Sequence, residues 1–312
     1  MIIVTGGAGF IGSNLVLALN RLGRDDLLIV DNLQNASKHK NLNLARFQDY
    51  LPKEELLARL PSLGPIEAIL HQGACSNTTE SDGRYMMQNN FEYSKQLLAF
   101  AEERAIKFIY ASSASVYGNG DAGFREEPAC EYPLNVYGFS KLVFDNYVRA
   151  RLRSSPAQIV GLRYFNVYGP QERHKARMAS VAMHLFDQLR ASRRMQLFEG
   201  SDKFQRDFLH VDDAVAVNLF FLQTPSARGI FNCGSGVAGS FLTMAETFGQ
   251  LYGSGEIDFV PFPSDLDGKY QRFTQADMTQ LRAAGCDHAF KSLHDGLDAY
   301  FRVLKEHDGY RR

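Results

Sequence analysis

Tyr137 and Lys141 stand four residues apart in Tyr137-Gly138-Phe139-Ser140-Lys141, a spacing that puts a phenol and an ammonium on one face of a helix. A free phenol titrates at about pH 10, so an adjacent ammonium that favours the phenolate lets Tyr137 take and return a hydroxyl proton near neutrality. Such a pair is common on protein surfaces, and two companions lift it above that bland reading. A serine cluster, Ser112, Ser113 and Ser115, follows an apolar run that ends at Ala111. Near the start of the chain, Thr5-Gly6-Gly7-Ala8-Gly9-Phe10-Ile11-Gly12 satisfies G-x-G-x-x-G from Gly7 and G-x-x-G-x-x-G from Gly6.

Glycines at that spacing permit a tight turn and a close backbone approach to a pyrophosphate, and the helix that follows offers unpaired N–H groups and the positive end of its dipole. A lone glycine pattern would carry little. Here an apolar β-branched run over 1–5, the glycines, helical spacing over 13–22 and a second apolar run over 27–30 come in the order a dinucleotide site requires, with Asp31 placed to hold a ribose hydroxyl. Asp31 alone argues for NAD, because a carboxylate repels a 2′-phosphate. Lys38 either neutralises such a phosphate or is a solvated surface lysine, and the sequence leaves both open.

The elements that must position these groups alternate. Buried-strand patterns recur at 68–71, 108–111 and 158–163, and helical patterns at 85–104 and 138–151, so the fold class is α/β: a Rossmann-type, doubly wound parallel sheet with a smaller α/β substrate-binding lobe. Residues 1–166 form the dinucleotide-binding domain, with a return segment at 207–233. Residues 167–206, holding one amphipathic helix over 178–190, and 234–312 form the lobe. Gly, Ser and Pro punctuate 234–272, as expected of loops lining a site.

Composition narrows the partners. The 312 residues suffice for two domains, and 34 Lys plus Arg against 35 Asp plus Glu give a net charge of -1, with no bulk pull toward nucleic acid. No apolar run reaches the ~18 residues of a membrane span and no signal-peptide pattern opens the chain, so a soluble, cytoplasmic protein is expected. Cys75, Cys130, Cys233 and Cys286 form no C-x-x-C pair, which points to free thiols and no metal site. The Met86-Met87 pair reads as core.

These motifs resemble the extended short-chain dehydrogenase/reductase family, which pairs TGxxGxxG with Ser-Tyr-Lys catalysis on a Rossmann domain. Further stretches, His71-Gln72-Gly73-Ala74-Cys75-Ser76, Tyr85-Met86-Met87-Gln88-Asn89-Asn90, Arg163-Tyr164-Phe165-Asn166-Val167-Tyr168-Gly169-Pro170, Leu197-Phe198-Glu199-Gly200-Ser201 and Phe273-Thr274-Gln275-Ala276-Asp277, are similar to the ADP-glycero-manno-heptose 6-epimerase family, nearly from end to end. The resemblance implies an NADP-dependent isomerase of bacterial lipopolysaccharide inner-core precursor synthesis that inverts C6 of an ADP-activated heptose by transient oxidation and reduction. It further implies one tightly bound NADP per subunit, with NAD the alternative, and a homo-oligomer, a pentamer in that family. Carried over, it puts Tyr137, Lys141 and Ser113 at the catalytic centre with Lys175 as a second acid/base. Gly6, Gly9, Phe10, Ile11, Gly12, Asp31, Asn32, Lys38, Lys53, Gln72, Gly73, Ala74, Cys75, Ser76, Asn89, Lys141, Val167 and Lys175 surround the cofactor. Asn166, Arg177, His184, Phe198, Glu199, Gly200, Ser201, Arg206 and Tyr270 hold the substrate.

Two positions depart from the family pattern. His-Glu-Gly-Ala reads His71-Gln72-Gly73-Ala74, and His-Lys-Gly-Ser-Met reads His174-Lys175-Ala176-Arg177-Met178, so Arg177 either points at a phosphate or faces water. On residues alone, Cys75 is assigned to packing and His184 to a structural helix position. The basic stretch Arg173, His174, Lys175 and Arg177, with Arg206, Lys269 and Arg272, suits a diphosphate sugar; Arg190, Arg193 and Arg194 read as solvated. Rival functions are weighed on chemistry. A 4,6-dehydratase needs an acid pair after the catalytic serine, where this chain has Ala114 and Ser115. A UDP-hexose 4-epimerase shares Tyr, Lys and Ser and differs in the lobe. A non-catalytic nucleotide sensor would be expected to lose the Tyr or Lys, and both are kept.

Overall fold

The computed structural model describes residues 1–262 and 271–312, and the counts below refer to these. Its strands are Ile2–Thr5 (β1), Leu27–Asp31 (β2), Asp49–Pro52 (β3), Ala68–His71 (β4), Lys107–Ser113 (β5), Ile159–Tyr164 (β6), Asn166–Tyr168 (β7), Arg194–Phe198 (β8), Gln205–His210 (β9), Gly229–Cys233 (β10), Ala238–Ser240 (β11) and Glu256–Val260 (β12). Its α-helices are Phe10–Arg21 (α1), Lys53–Arg59 (α2), Gly83–Met87 (α3), Tyr93–Glu103 (α4), Val136–Arg149 (α5), Val181–Ser192 (α6), Val211–Gln223 (α7), Phe241–Tyr252 (α8), Thr279–Ala283 (α9) and Leu293–His307 (α10).

Seven strands form one parallel sheet in the order β10-β6-β5-β4-β1-β2-β3. Every residue of β1, β2, β4 and β6 is buried, because helices cover both faces, and this is why those segments read as continuous apolar runs. On one face Leu15, Val16 and Leu19 of α1 pack with Ala214, Val217 and Phe221 of α7. On the other, Leu97, Leu98 and Ala101 of α4 meet Phe144 and Val148 of α5. From β1 the chain runs outward to β2 and β3, and then returns past β1 to build β4, β5 and β6 on the other side. That reversal opens a crevice at the carboxyl ends of the strands, where ligands bind in such sheets.

A second core belongs to the lobe: Phe186 and Leu189 of α6, Phe248 of α8, and Phe301 and Leu304 of α10 pack together above the β8–β12 pair and the β11-β9-β7 sheet. Expectation and structure part here in four places. The 234–272 stretch is not mainly loop: it holds β11, α8 and β12. Phe241, Met244, Ala245 and Phe248 recur at helical spacing and are buried, while Ser240 accepts from Thr243 N to cap α8 and Gly253, at φ +80°, ends it. The residues that suggested loops are the helix's own start and stop signals.

The return to the sheet begins with α7 and not at 207, since β9 pairs with β7 and β11. Residues 278–290, expected in the lobe, place Leu281 and Cys286 in the first core. The helical pattern over 85–104 is continuous but contains a π turn, Gln88–Glu92, between α3 and α4. Met86 is fully buried and the four cysteines are unpaired, as expected of core and of free thiols. Among the described residues no helix is long and apolar enough to cross a membrane.

Candidate active site

A cleft of about 790 Å³ opens over the crevice at the ends of β1, β2, β4, β5 and β6. Its floor is the glycine turn. Gly6 has φ +65°, and a Cβ there would stand 2.7 Å from Gly73 N; one on Gly12 would stand 2.1 Å from Gly6 O. The first helix starts at Phe10, earlier than the sequence pattern suggested, with Gly9 at its N-cap, no side-chain cap and no acidic residue in its first turn. Among the described residues no side chain caps the first-turn N–H groups of this helix, and they face the cleft beside a surface that no side chain could share. This is the fit a dinucleotide pyrophosphate requires.

At the end of β2, Asp31 is buried and accepts from the backbone N–H of Asn32 at 2.9 Å and of Ala8 at 3.2 Å. Lys38 Nζ reaches the same carboxylate at 2.8 Å, so Lys38 belongs to the cleft and is not a solvated lysine. The wall formed by Gln72, Gly73, Ala74, Cys75 and Ser76 is held from behind. Thr5 Oγ1 lies 2.6 Å from His71 Nδ1 and accepts from Gly73 N, and burial pushes the His71 imidazole down to about 3, which keeps it neutral. Gln72, the departure from the family pattern, is gripped at both ends: its amide donates to Asn218 and its carbonyl accepts from Tyr164. Cys75 lines the cleft, so its assignment to packing is corrected.

The π turn aims two asparagines differently. Asn89 accepts from Lys53 Nζ at 2.5 Å, and both line the cleft. Asn90 is buried, accepts from Cys75 N at 2.8 Å and donates to Cys75 O and to Ser140 Oγ of α5. One helical irregularity thus ties the cofactor wall to the helix that carries Tyr137.

Asn135 caps α5 by accepting from Gly138 N, which places Tyr137 in its first turn and Lys141 one turn later. Both line the cleft with Ser113, at the end of β5. Lys141 is buried, donates to Ala111 O at 2.8 Å, and has its ammonium pulled down to about 8 by burial, with Asp145 and Cys75 opposing. Burial holds the Tyr137 phenol above its ordinary value, while the Ser113 hydroxyl pulls it the other way. The lowering expected from Lys141 is not found, and burial prevails, so in the resting cleft Tyr137 is a protonated phenol: an acid first, and a base only once a partner stabilises its anion.

The opposite wall comes from the lobe. Residues 173–178 place His174, Lys175 and Met178 in the cleft, with Lys175 Nζ 5.1 Å from the Phe10 ring centroid and 3.9 Å from Glu172. Glu172 is fully buried and accepts from Ser180 N, Ser180 Oγ and Tyr300. Gln171 and His174 are bound to the cofactor side of the molecule: Asn41 Nδ2 reaches Gln171 O at 3.1 Å, His174 Nδ1 at 3.1 Å and Ala8 O at 3.0 Å, and Asn35 donates to His174 O. Burial, with Lys38 and Lys175 nearby, brings the His174 imidazole down to about 4.

All the expected cofactor residues and Ser113, Tyr137, Asn166 and Lys175 line this one cleft. Among the described residues, the other expected substrate contacts do not. Arg177 is exposed and reaches Thr79 Oγ1 at 3.3 Å across the cleft mouth, and His184, on α6, lies 3.3 Å from Arg177 O. Phe198 ends β8, and Glu199, Gly200 and Ser201 form the turn after it, where Glu199 N donates to Val260 O. Arg206 is buried on β9 beside Phe241, in the strand that pairs with Asn166's. Tyr270 and Lys269 lie outside the described residues. Arg173 pairs with Asp187 and Asp308 and is not among the residues lining the cleft. Arg190 and Arg194 are likewise spent on exposed acids, as expected of a solvated face. Sequence reasoning missed Asn41, Asn90 and Glu172. The doubled asparagine at 89–90 on a helical pattern was the one available signal.

Residues 2–234 match the NAD dependent epimerase/dehydratase family. Among curated proteins, the ADP-L-glycero-D-manno-heptose-6-epimerase of Brachyspira hyodysenteriae is 55% identical over 99% of both chains, and that of Alkalilimnicola ehrlichii 54% over 98% of both. Among solved structures, the ADP-L-glycero-D-manno-heptose-6-epimerase of Helicobacter pylori superposes with a TM-score of 0.87 at 30% identity, covering 98% of this chain and 96% of that one. A UDP-glucuronic acid 4-epimerase from Bacillus cereus, solved with UDP-glucuronic acid and NAD, has a TM-score of 0.81 at 26% identity, covering 98% and 99%.

Proposed function

The chain belongs to the NAD dependent epimerase/dehydratase family, and from that premise we propose that it is an ADP-L-glycero-D-manno-heptose-6-epimerase, inverting C6 of ADP-D-glycero-D-manno-heptose. The family and its NAD-bound member support a nicotinamide cofactor held over the glycine turn. A nicotinamide held there would supply reversible hydride exchange at C6, and because the hydride lost in oxidation is regained at the same carbon, the reaction would need no net redox change. We read the cofactor as NADP, because the Lys38 ammonium 2.8 Å from Asp31 offsets the carboxylate that would repel a 2′-phosphate. We further infer that the product feeds lipopolysaccharide core precursor synthesis and that the subunits form a homo-oligomer. Native mass spectrometry of unsupplemented protein tests both cofactor and assembly: release of NAD alone, or a bare monomer mass, contradicts the reading.

One observation carries the mechanism: Tyr137 and Lys175 line the same cleft from different lobes. Inversion requires the transient C6 ketone to turn about its C5–C6 bond, which carries the carbonyl oxygen away from the group that first deprotonated it. A second acid must wait where the oxygen arrives. Tyr137, flanked by Ser113 and Lys141, serves one position, and Lys175, anchored by the buried Glu172, serves the other. Tyr137→Phe and Lys175→Met should each lower kcat by about 10²-fold or more, the scale of general acid–base catalysis, with cofactor binding kept. Full kcat in Lys175→Met at saturating substrate, with only KM raised, would reduce Lys175 to a phosphate ligand. Equal turnover of UDP-glucose and ADP-heptose would return the chain to the 4-epimerases.

A further inference from the structure

Beneath the cleft lies a charged cluster that the proposed chemistry does not use. Asp145 is fully buried on α5, one turn beyond Lys141. Its carboxylate accepts from Tyr110 Oη at 2.8 Å, Ser112 Oγ at 2.9 Å and Arg163 Nε at 2.9 Å. Arg163 is itself fully buried, on β6 directly beside Ser112, and donates onward to Tyr117 Oη at 3.0 Å and to Glu131 at 2.5 Å. Glu131 is also paired with Arg149. Burying this many ionised groups is costly, and the stability gained by such clusters is small or negative compared with an apolar core. What the cluster secures is geometry: α5 meets β5 through Lys141 on Ala111 O and, one turn on, through Asp145 on Ser112 and Tyr110.

We propose that Asp145 is a positioning residue for the reaction: its carboxylate, one turn beyond Lys141, locks the helix of Tyr137 and Lys141 to the strand of Ser113. The inference rests on the Tyr137–Lys141 reading above. The groups facing Lys141 are few. His71 is neutral on β4, Cys75 lies on the loop after it, and Tyr137 stands one turn back on α5. Behind Asp145, Arg163 and Arg149 are positive, Glu131 is negative, and burial keeps the Tyr110 and Tyr117 phenols protonated. Asp145 is the foremost of the groups that oppose the loss of charge at Lys141.

The test is the pH profile of kcat for the full-length, cofactor-loaded enzyme. Lys141 acts as an ammonium, so activity falls as pH rises through its titration. Removing a neighbouring negative charge moves that alkaline limb toward acid. Asp145→Asn, which keeps the shape and one acceptor oxygen while removing the charge, should shift the limb down by about one pH unit and recover most activity near pH 6. Asp145→Glu should leave the limb in place. Arg163→Gln removes the cation that competes for Asp145 and should move the limb the other way, so it decides the matter if Asp145→Asn does not fold. A kcat lowered equally at every pH, or unmoved limbs in the folded variants, overturns the proposal and leaves a structural tie. Failure of the Tyr137 reading shows separately, as full kcat in Tyr137→Phe.

Discussion

The cofactor wall and the substrate lobe are built by opposite means. The wall gathers its residues from the ends of consecutive parallel strands, so short contiguous stretches, 5–12, 31–38 and 72–76, arrive in one cleft because the sheet delivers them there. The lobe distributes its expected contacts over the turn after β8, over β9, over α6 and over a six-residue loop, each held by its own packing. Strand ends are placed by the fold itself, whereas lobe residues are placed by tertiary contacts that any change of substrate can rearrange. The first region should therefore tolerate almost no variation in shape, and the second should lose affinity in graded steps.

The largest effect should come from acid, which strikes the joints of both regions. His71, His174 and His210 are held at about 3, 4 and 4 by burial, well below the ordinary imidazole value. Each binds its proton in the unfolded chain first, so stability is full above about pH 6.5 and falls as pH drops toward 4, by about 1.4 kcal/mol per pH unit for each group in that window. Thermal melts at pH 7, 6 and 5 check this; a flat melting temperature would contradict it. Next is Gly12→Ala, whose Cβ would meet Gly6 O at 2.1 Å. A cradle displaced by about an ångström should weaken dinucleotide binding about 10²-fold in a protein that still folds, measurable by calorimetry. A mild effect there would erase the contrast between the regions.

Arg206→Ala probes the lobe: loss of a charged hydrogen bond to a diphosphate should raise KM by about 1.5–3 kcal/mol with kcat kept. An unchanged KM would remove Arg206 from the substrate site. Smaller still, Arg194→Ala on the exposed β8 edge should leave the melting temperature essentially unchanged, despite its pairs with Glu256 and Asp258, because solvent screens them.

The same contrast explains how far the sequence could be read. Gly6 to Gly12, Asp31 and the Tyr137–Lys141 pair are local patterns, and the parallel sheet follows from apolar runs at regular intervals. Helix α8 was mistaken for loop because Ser240 and Gly253 signal helix ends as well as turns. Asp145 and Arg163 passed unnoticed because a charged residue in an apolar run gives no sign of the partner that permits its burial, and theirs lie 18 residues apart on different layers. Asn41 and Gln171 are further apart still, 130 positions along the chain.

That last contact has a consequence for how such a protein can change over generations. Asn35 and Asn41 flank Lys38, which pairs with Asp31, and they hold the backbone and ring of His174, neighbour to Lys175. A mutation that retunes one segment displaces the other, so the two stretches cannot drift independently. A lineage switching its dinucleotide would have to repair its substrate loop in step, and inheritance would treat residues 35–41 and 171–175 as one unit.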